Sequence, residues 1–506
     1  MRKLVCLVLT AMLLLGVVTV TQAEIPTDLN HLDLKIALYE FTSFDDPLGK
    51  AIEDKFNVSI TPILLEGDIN AQLRLWATSG ELPDVFATTT IADGSRLWDF
   101  IDQGLIRSIP EEMLAKYPYT EAKTLRNEGV KLVKELTGEI YIIPRPESAT
   151  NMWTATQNYM VARNDWMEKL GIEAPNTMDE LYELLRAFTF DDPDGNGQDD
   201  TYGLTGNYAQ LYVSFGAYPG YWIEKDGKYI PGYLDEEPMV EALSWFRKIY
   251  SEGILDPELA TNDSKFAQGT FGAYLRNLDE YWFNRSVVEI FGGANQDKGN
   301  VLDVVKAIGP FSKDADSPKL ANPRVDGLSG NEYNADLSDE ALERLLMIDN
   351  WLLHGEGNDL KYWGLKDIDY TINAEGNYEM IEEEALRTKY PSIFIQNWPC
   401  WDFDYNALPV NEGGSPYITE EVKAICKEIR ERYNAALDLE TCPVSVAATY
   451  AFVDASSDYT YNYNAELVEI ITGSDDVRTM YNAMVAEAYE YGLQDVIDQK
   501  NELLTE

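Results

Sequence analysis

The chain of 506 residues carries 87 Asp and Glu against 40 Lys and Arg, a formal charge of −47, with 45% hydrophobic and 12% aromatic residues. Such acidity excludes nucleic acid and anionic membrane surfaces as partners and leaves cations and neutral ligands. With only two histidines, His31 and His354, a Ser-His-Asp triad, a Cys-His pair and a His-rich metal centre are all disfavoured.

In chain order, the first element is a leader. Arg2-Lys3 is a basic start, Leu4 to Val20 is almost wholly apolar, and Thr21-Gln22-Ala23 offers small residues for cleavage. Residues 1–23 are therefore expected to be a secretory signal peptide. No cysteine stands near the cut, so no lipoprotein signal is found, and the expected location is the periplasm or the extracellular or cell surface. Cys400, Cys426 and Cys442 remain after processing, too few for a disulfide scaffold and without the paired spacing of a zinc site.

Strand and helix then alternate. Leu34–Tyr39 reads as a strand, Pro47–Phe56 as a helix, Val58–Leu65 as a strand, Ala71–Thr78 as a helix, Leu82–Phe86 as a short buried strand and Leu97–Asp102 as a helix. The alternation predicts an α/β layer on a largely parallel sheet. A second unit begins near Met160, with a strand at Tyr159–Ala162, a helix at Asn164–Leu170, and an N-cap signal at Thr177 and Glu180 before Leu181–Phe188. Glu241–Glu252 is amphipathic. Ser338 is expected to cap a helix reaching about Leu353, and the tail from Ile418 to Leu504 has mostly helical periodicity.

The stretch from Asp191 to Gly203 carries acidic or amide side chains at every second position: Asp192, Asp194, Asn196, Gln198 and Asp200, with Gly195 and Gly197 between them. This is the oxygen-donor pattern of a hard cation, and a structural calcium ion is expected. The twelfth position counted from Asp192 is Gly203 rather than the usual glutamate, so Asp191 or a distant residue would have to complete the shell. A solvated Asx-rich turn is the plainer alternative.

Aromatics are abundant, with 31 Tyr, 17 Phe and 11 Trp, and several stand outside obvious core patterns. Flat amphipathic rings stack on the apolar faces of sugars while neighbouring acids and amides bond the hydroxyls. Paired carboxylates could also make a glycosidase, but among so many acids a pair has little diagnostic value.

Five segments in order carry a resemblance. They are Ala77-Thr78-Ser79-Gly80-Glu81-Leu82-Pro83-Asp84-Val85, Thr137-Gly138-Glu139-Ile140-Tyr141-Ile142-Ile143-Pro144, Ala162 to Gly171, Pro175 to Leu181, and Tyr250-Ser251-Glu252-Gly253-Ile254-Leu255-Asp256-Pro257-Glu258. With Tyr362-Trp363-Gly364-Leu365, the chain resembles the extracellular solute-binding proteins of bacterial ABC importers, in the family that includes the maltose- and alginate-binding proteins. The resemblance implies a two-lobed α/β fold of the periplasmic-binding-protein type (type II) with a ligand cleft between the lobes. It places 30–155 plus 296–355 in lobe one and 156–295 plus 356–506 in lobe two. It implies a monomer that is not an enzyme, capturing a carbohydrate, expected to be an oligosaccharide, by closure and passing it to importer permease subunits. Expected ligand contacts are Trp282 first, then Tyr281, with Tyr208, Tyr212, Thr88, Thr89, Trp398 and Trp401. In the larger sugar binders a loop like Asp192–Asp200 holds calcium far from the ligand. A secreted glycoside-active enzyme, or a peptide-binding or adhesion protein, are the alternatives.

Overall fold

The computed structural model describes residues 25–505 except 40, 67–68, 89–94, 145–152, 156–157, 260–262, 279, 326–329, 375–377, 382–385, 398–417, 439, 452, 454–455 and 457–458. The expected signal peptide, Thr89, Cys400, Trp398 and Trp401 lie outside the described residues. Among those described, no helix is long and apolar enough to cross a membrane.

The strands that build the frame are β1 (Leu32–Tyr39), β2 (Val58–Leu65), β3 (Val85–Thr88), β4 (Ile143–Pro144), β5 (Trp153–Ala155), β6 (Asn158–Arg163), β7 (Tyr202–Gly206), β8 (Trp222–Lys225), β9 (Lys228–Pro231), β10 (Phe271–Asn277), β11 (Val305–Ile308), β12 (Pro323–Val325) and β13 (Gly330–Tyr333). One sheet has the order β2-β1-β3-β13-β4 and a second the order β11-β6-β10-β7. In the first, β1 runs parallel to β2 and β3, while β13 is antiparallel to β3. In the second, β10 is parallel to β7 and antiparallel to β6. β1 is buried along Leu34, Ile36, Ala37 and Leu38, as a central strand covered on both faces must be.

Each sheet has its own core. The first gathers Leu38, Phe56, Phe86, Phe100, Leu345 and Trp351, and the second Met160, Leu184, Phe188, Phe246, Leu275 and Tyr481. Local sequence sets the flanking helices. Thr177 and Glu180 form the anticipated capping box at the start of Met178–Phe190, and the Ser338 hydroxyl accepts the Ala341 N–H to start Asp339–Leu352. The tail supplies helices at Glu420–Ala435, Tyr463–Thr472, Val477–Glu490 and Leu493–Thr505. The last three pack on the second core through Leu467, Ile470, Met484 and Ile497.

Residues 356–395 behave differently from the tail. The sequence reading groups 356–506 with the second lobe, yet Leu360, Leu386, Tyr390, Ile393 and Ile395 belong to the first core. Asp46 holds them there. Its carboxylate caps the helix Pro47–Phe56 through the N–H groups of Leu48 and Gly49, at 3.0 and 2.9 Å, and also accepts Ser392 N–H and Oγ–H, at 2.8 and 2.6 Å.

The first core also encloses an ion pair. Lys123 Nζ lies 2.9 Å from Asp349 Oδ1, both side chains almost without solvent exposure, and Thr120 Oγ1 donates to Asp349 Oδ2 at 2.6 Å. Removing one partner of a buried pair strands the other charge and costs about 3–5 kcal/mol. Asp349→Ala should lower unfolding free energy by about that amount in urea titration; a change under about 1 kcal/mol would mean the pair is solvated.

Candidate functional site

The ends of the two sheets are joined by a two-stranded ribbon. β5 pairs antiparallel with β12, Ala155 opposite Pro323 and Trp153 opposite Val325. β5 leads into β6 of the second sheet, and β12 leads into β13 of the first. Three side-chain contacts tie the ribbon to the second-sheet side: Asn434 Oδ1 accepts the Ala155 N–H at 2.8 Å, Tyr221 Oη donates to the Pro323 carbonyl at 2.8 Å, and Asn322 Nδ2 donates to the Gln210 carbonyl and Oε1 at 3.1 and 3.0 Å. On the other side, Gly330 pairs with both Thr88 and Pro144.

The edge of the second sheet beside this ribbon is formed by the carboxyl ends of β7 and β10, where ligands of open α/β sheets bind. Gly206 ends β7 at φ 101°, and a Cβ there would stand 2.1 Å from the Leu275 carbonyl oxygen. Only glycine fits that close approach. The chain then turns into the helical segment Tyr208–Phe215, while β10 is followed by the short helix Glu280–Phe283.

The expected ligand residues separate on this frame. Thr88 ends β3, at the corresponding edge of the first sheet. Trp282 and Tyr281 occupy the turn after β10. Trp282 is half-buried, with the Arg276 guanidinium 4.0 Å from its ring centroid and Arg285 at 5.3 Å. Tyr208 and Tyr212, expected as ligand contacts, are instead inside the second core, 9% and 3% exposed, with rings 5.3 and 4.8 Å from Phe246. Burial raises both phenol pKa values above the ordinary range. Their chain neighbours Leu211 and Val213 are also buried, so the segment packs as a core plug. Sequence reasoning passed over Arg276, which contacts the Trp282 ring and pairs with Asp263, and the Glu280–Arg430 ion pair two residues before Trp282. An arginine five residues before the Tyr281-Trp282 pair was the available signal.

The acidic loop folds on itself. Asp192 sits at φ 46°, its carboxylate accepts the Gly197 N–H at 3.2 Å, and Lys169 Nζ donates to the carbonyls of Asp192 and Pro193 at 3.3 and 2.8 Å. Local desolvation raises the Asp192 pKa, but the Gly197 N–H, Asp194, the Gly195 N–H and Lys169 outweigh it and hold the carboxyl below the usual range. Asn196 Nδ2 donates to Asp194 at 2.9 Å and to Asp200 at 3.1 Å, so two carboxylates converge on one amide. These donors suit a hard cation, but among the described residues no three His, Cys, Asp or Glu side chains are grouped as metal ligands. Asp191 stands 3.9 Å from Arg186 rather than completing a shell. Gly203 is packed against Leu185 and Ile254.

Comparison with known proteins places this arrangement. The family described as bacterial extracellular solute-binding protein matches residues 40–317. Lipoprotein LipO of Bacillus subtilis (strain 168) is 26% identical over 404 residues, covering 74% of this chain and 76% of that protein. The polygalacturonan/rhamnogalacturonan-binding protein YtcQ of the same strain is 24% identical over 352 residues, covering 67% and 65%. Two solved structures superpose over 94% of this chain and 98% of theirs: alginate-binding protein AlgQ2 without calcium ion, TM-score 0.68 at 17% identity, and the S. pneumoniae substrate-binding protein FusA, an EF-hand mutant in complex with fructo-nystose, TM-score 0.64 at 16% identity. The likeness establishes the fold, the two-lobed α/β architecture of type II binding proteins.

The core placement of Tyr212 has a direct test. Tyr212→Ala should cost about 3–5 kcal/mol of unfolding free energy by urea denaturation, as for other large buried aromatics. A loss under about 1 kcal/mol would put the ring outside the core.

Proposed function

The chain belongs to the bacterial extracellular solute-binding proteins, and from that premise we propose that it captures an oligosaccharide between two α/β lobes and hands it to the permease subunits of an ABC importer. The observation that carries the reading is the ribbon β5–β12: it joins two sheets with separate cores at the edges where β3, β7 and β10 end. A ligand held at both edges makes its full set of contacts only when the lobes are closed, and that differential affinity shifts the population toward closure. The names of the relatives favour carbohydrate: YtcQ is named for polygalacturonan and rhamnogalacturonan, AlgQ2 for alginate, and FusA was solved with fructo-nystose.

The lobes follow the cores. Lobe one comprises 30–155 with 330–355, and the packing of Leu386 to Ile395 on the first core favours adding 356–397 to it; the segment 296–322, which the sequence reading groups with lobe one, goes instead with lobe two, because β11 pairs with β6 in the second sheet and Ile308 and Phe311 pack in its core. Lobe two comprises 156–322 with the tail from 418. Trp282 is the leading sugar-stacking residue, with Tyr281, Thr88, Thr89, Trp398 and Trp401 as further contacts; Tyr208 and Tyr212 support the site from the core. The protein acts as an exported monomer after loss of residues 1–23, without a catalytic step.

Calcium fits as a structural ion of the loop Asp192–Asp200. Asp192, Asp194, Asn196, Gln198 and Asp200 would hold it through side-chain or backbone oxygens, and rotation of the Asn196 amide would present its oxygen between Asp194 and Asp200. The bound ion would cross-link the turn after Met178–Phe190 and supply no chemistry to the ligand.

Two measurements test the reading. In a thermal-shift screen with fructo-oligosaccharides, oligogalacturonides and alginate oligomers, one class at about a hundred times its Kd should stabilise the protein by about 2.7 kcal/mol, a shift of several degrees. The sugar should stay intact by chromatography. Cleavage products, or no shift with any oligosaccharide, would overturn the proposal. Chelator treatment should lower the melting temperature without changing which sugar stabilises; an unchanged melting temperature would remove calcium from the account.

A further inference from the structure

The helix that carries Trp282, Glu280–Phe283, is four residues long, too short to fix a side chain by its own hydrogen bonds. What fixes it comes from outside the turn. Arg276 lies near the end of β10, with its guanidinium 4.0 Å from the Trp282 ring centroid. The guanidinium is itself held: Nη1 pairs with Asp263 and donates to Ser286 Oγ at 3.1 Å, and Asp263 also accepts the Tyr274 hydroxyl. Desolvation raises the Asp263 pKa, but Arg276 and Tyr274 outweigh it and keep the carboxylate ionised below its usual range.

A second tie runs to the tail. Glu280, 5% exposed, is ion-paired with Arg430 of the helix Glu420–Ala435. Its other oxygen, Oε2, is buried without a hydrogen-bond partner among the described residues. A buried carboxylate with one oxygen left over is costly, and its pairing spans 150 residues of chain. The turn then runs into a nine-residue π-helix, Asn284–Gly292, which contains Ser286. Such widened turns are rare and concentrate at functional positions.

We propose that Arg276 and Glu280 are positioning residues for ligand stacking on Trp282. The Arg276 guanidinium lies 4.0 Å from the indole centroid and Arg285 5.3 Å from it, so the ring is held between charged groups anchored outside the turn. The Glu280–Arg430 pair locks the turn against Glu420–Ala435, so the ring meets the ligand already oriented. Preorganisation of this kind raises affinity by reducing the ordering cost of binding. A lysine cannot replace Arg276, because an ammonium is a point charge and does not lie flat on the ring. The inference rests on the reading of Trp282 as a ligand contact.

The test uses the full chain labelled with 5-fluorotryptophan, the Trp282 fluorine signal being identified by its loss in Trp282→Phe. Arg276→Lys and Glu280→Gln should each shift or broaden that signal while the other tryptophan signals stay in place and far-UV circular dichroism is unchanged. An unmoved Trp282 signal in both variants overturns the positioning role. If Arg276→Lys proves unstable, Asp263→Asn, which frees the same guanidinium, is read in the same way. In parallel, affinities for nystose and tetragalacturonate are compared. Trp282→Ala and Arg276→Lys should both weaken the probe that binds, by at least three-fold. A Trp282→Ala protein that binds as tightly as the parent would sink the ligand reading of Trp282, whereas weakening by Trp282→Ala alone would sink only the role of Arg276.

Discussion

The architecture depends on one pair of short strands. β5 and β12 are three residues each, and between them they carry the chain from a sheet with one hydrophobic core to a sheet with another. Asn434, Tyr221 and Asn322 pin that ribbon by side-chain hydrogen bonds to the second-sheet side. Two bodies with separate cores, joined by this ribbon and by one further chain crossing between 395 and 418, have relative motion as the default expectation unless a large interface forbids it. That freedom is what a solute-binding protein requires, since a ligand can drive closure only if open and closed forms are close in free energy.

The lobes themselves are built to be stiff. In the first, the buried Lys123–Asp349 pair and the Asp46–Ser392 tie fasten segments distant in sequence. In the second, Arg247 donates to the Ile470 carbonyl and Arg478 pairs with Glu236 and Glu237, fixing the terminal helices to Glu236–Ser251. Several cations of this acidic chain thus serve as long-range ties, and Arg276 and Arg430 serve the Trp282 turn.

Much of this was legible in the sequence because it is encoded locally. The Thr177–Glu180 capping box, the Ser338 cap and the strands at Val58–Leu65 and Tyr159–Ala162 follow from short patterns, and the structure has each of them. The ordered motifs pointed to the family for the same reason. Non-local features were not legible. Nothing in Gly330–Tyr333 announces that it enters the first sheet antiparallel between β3 and β4, nor does Ser392 announce its bond to Asp46 across 346 residues. The burial of Tyr208 and Tyr212 was not legible either, because a tyrosine pattern looks alike whether the rings meet a ligand or Phe246. Arg276 went unnoticed because its significance lies in three-dimensional neighbours, Asp263 and Trp282.

The central claim is closure of two lobes about the β5–β12 ribbon on a sugar. Small-angle X-ray scattering of the protein, alone and with a saturating oligosaccharide that raises its melting temperature, tests it most directly. The account predicts a smaller radius of gyration and a shorter maximum dimension in the sugar-bound sample. Identical scattering curves with the sugar demonstrably bound would contradict it.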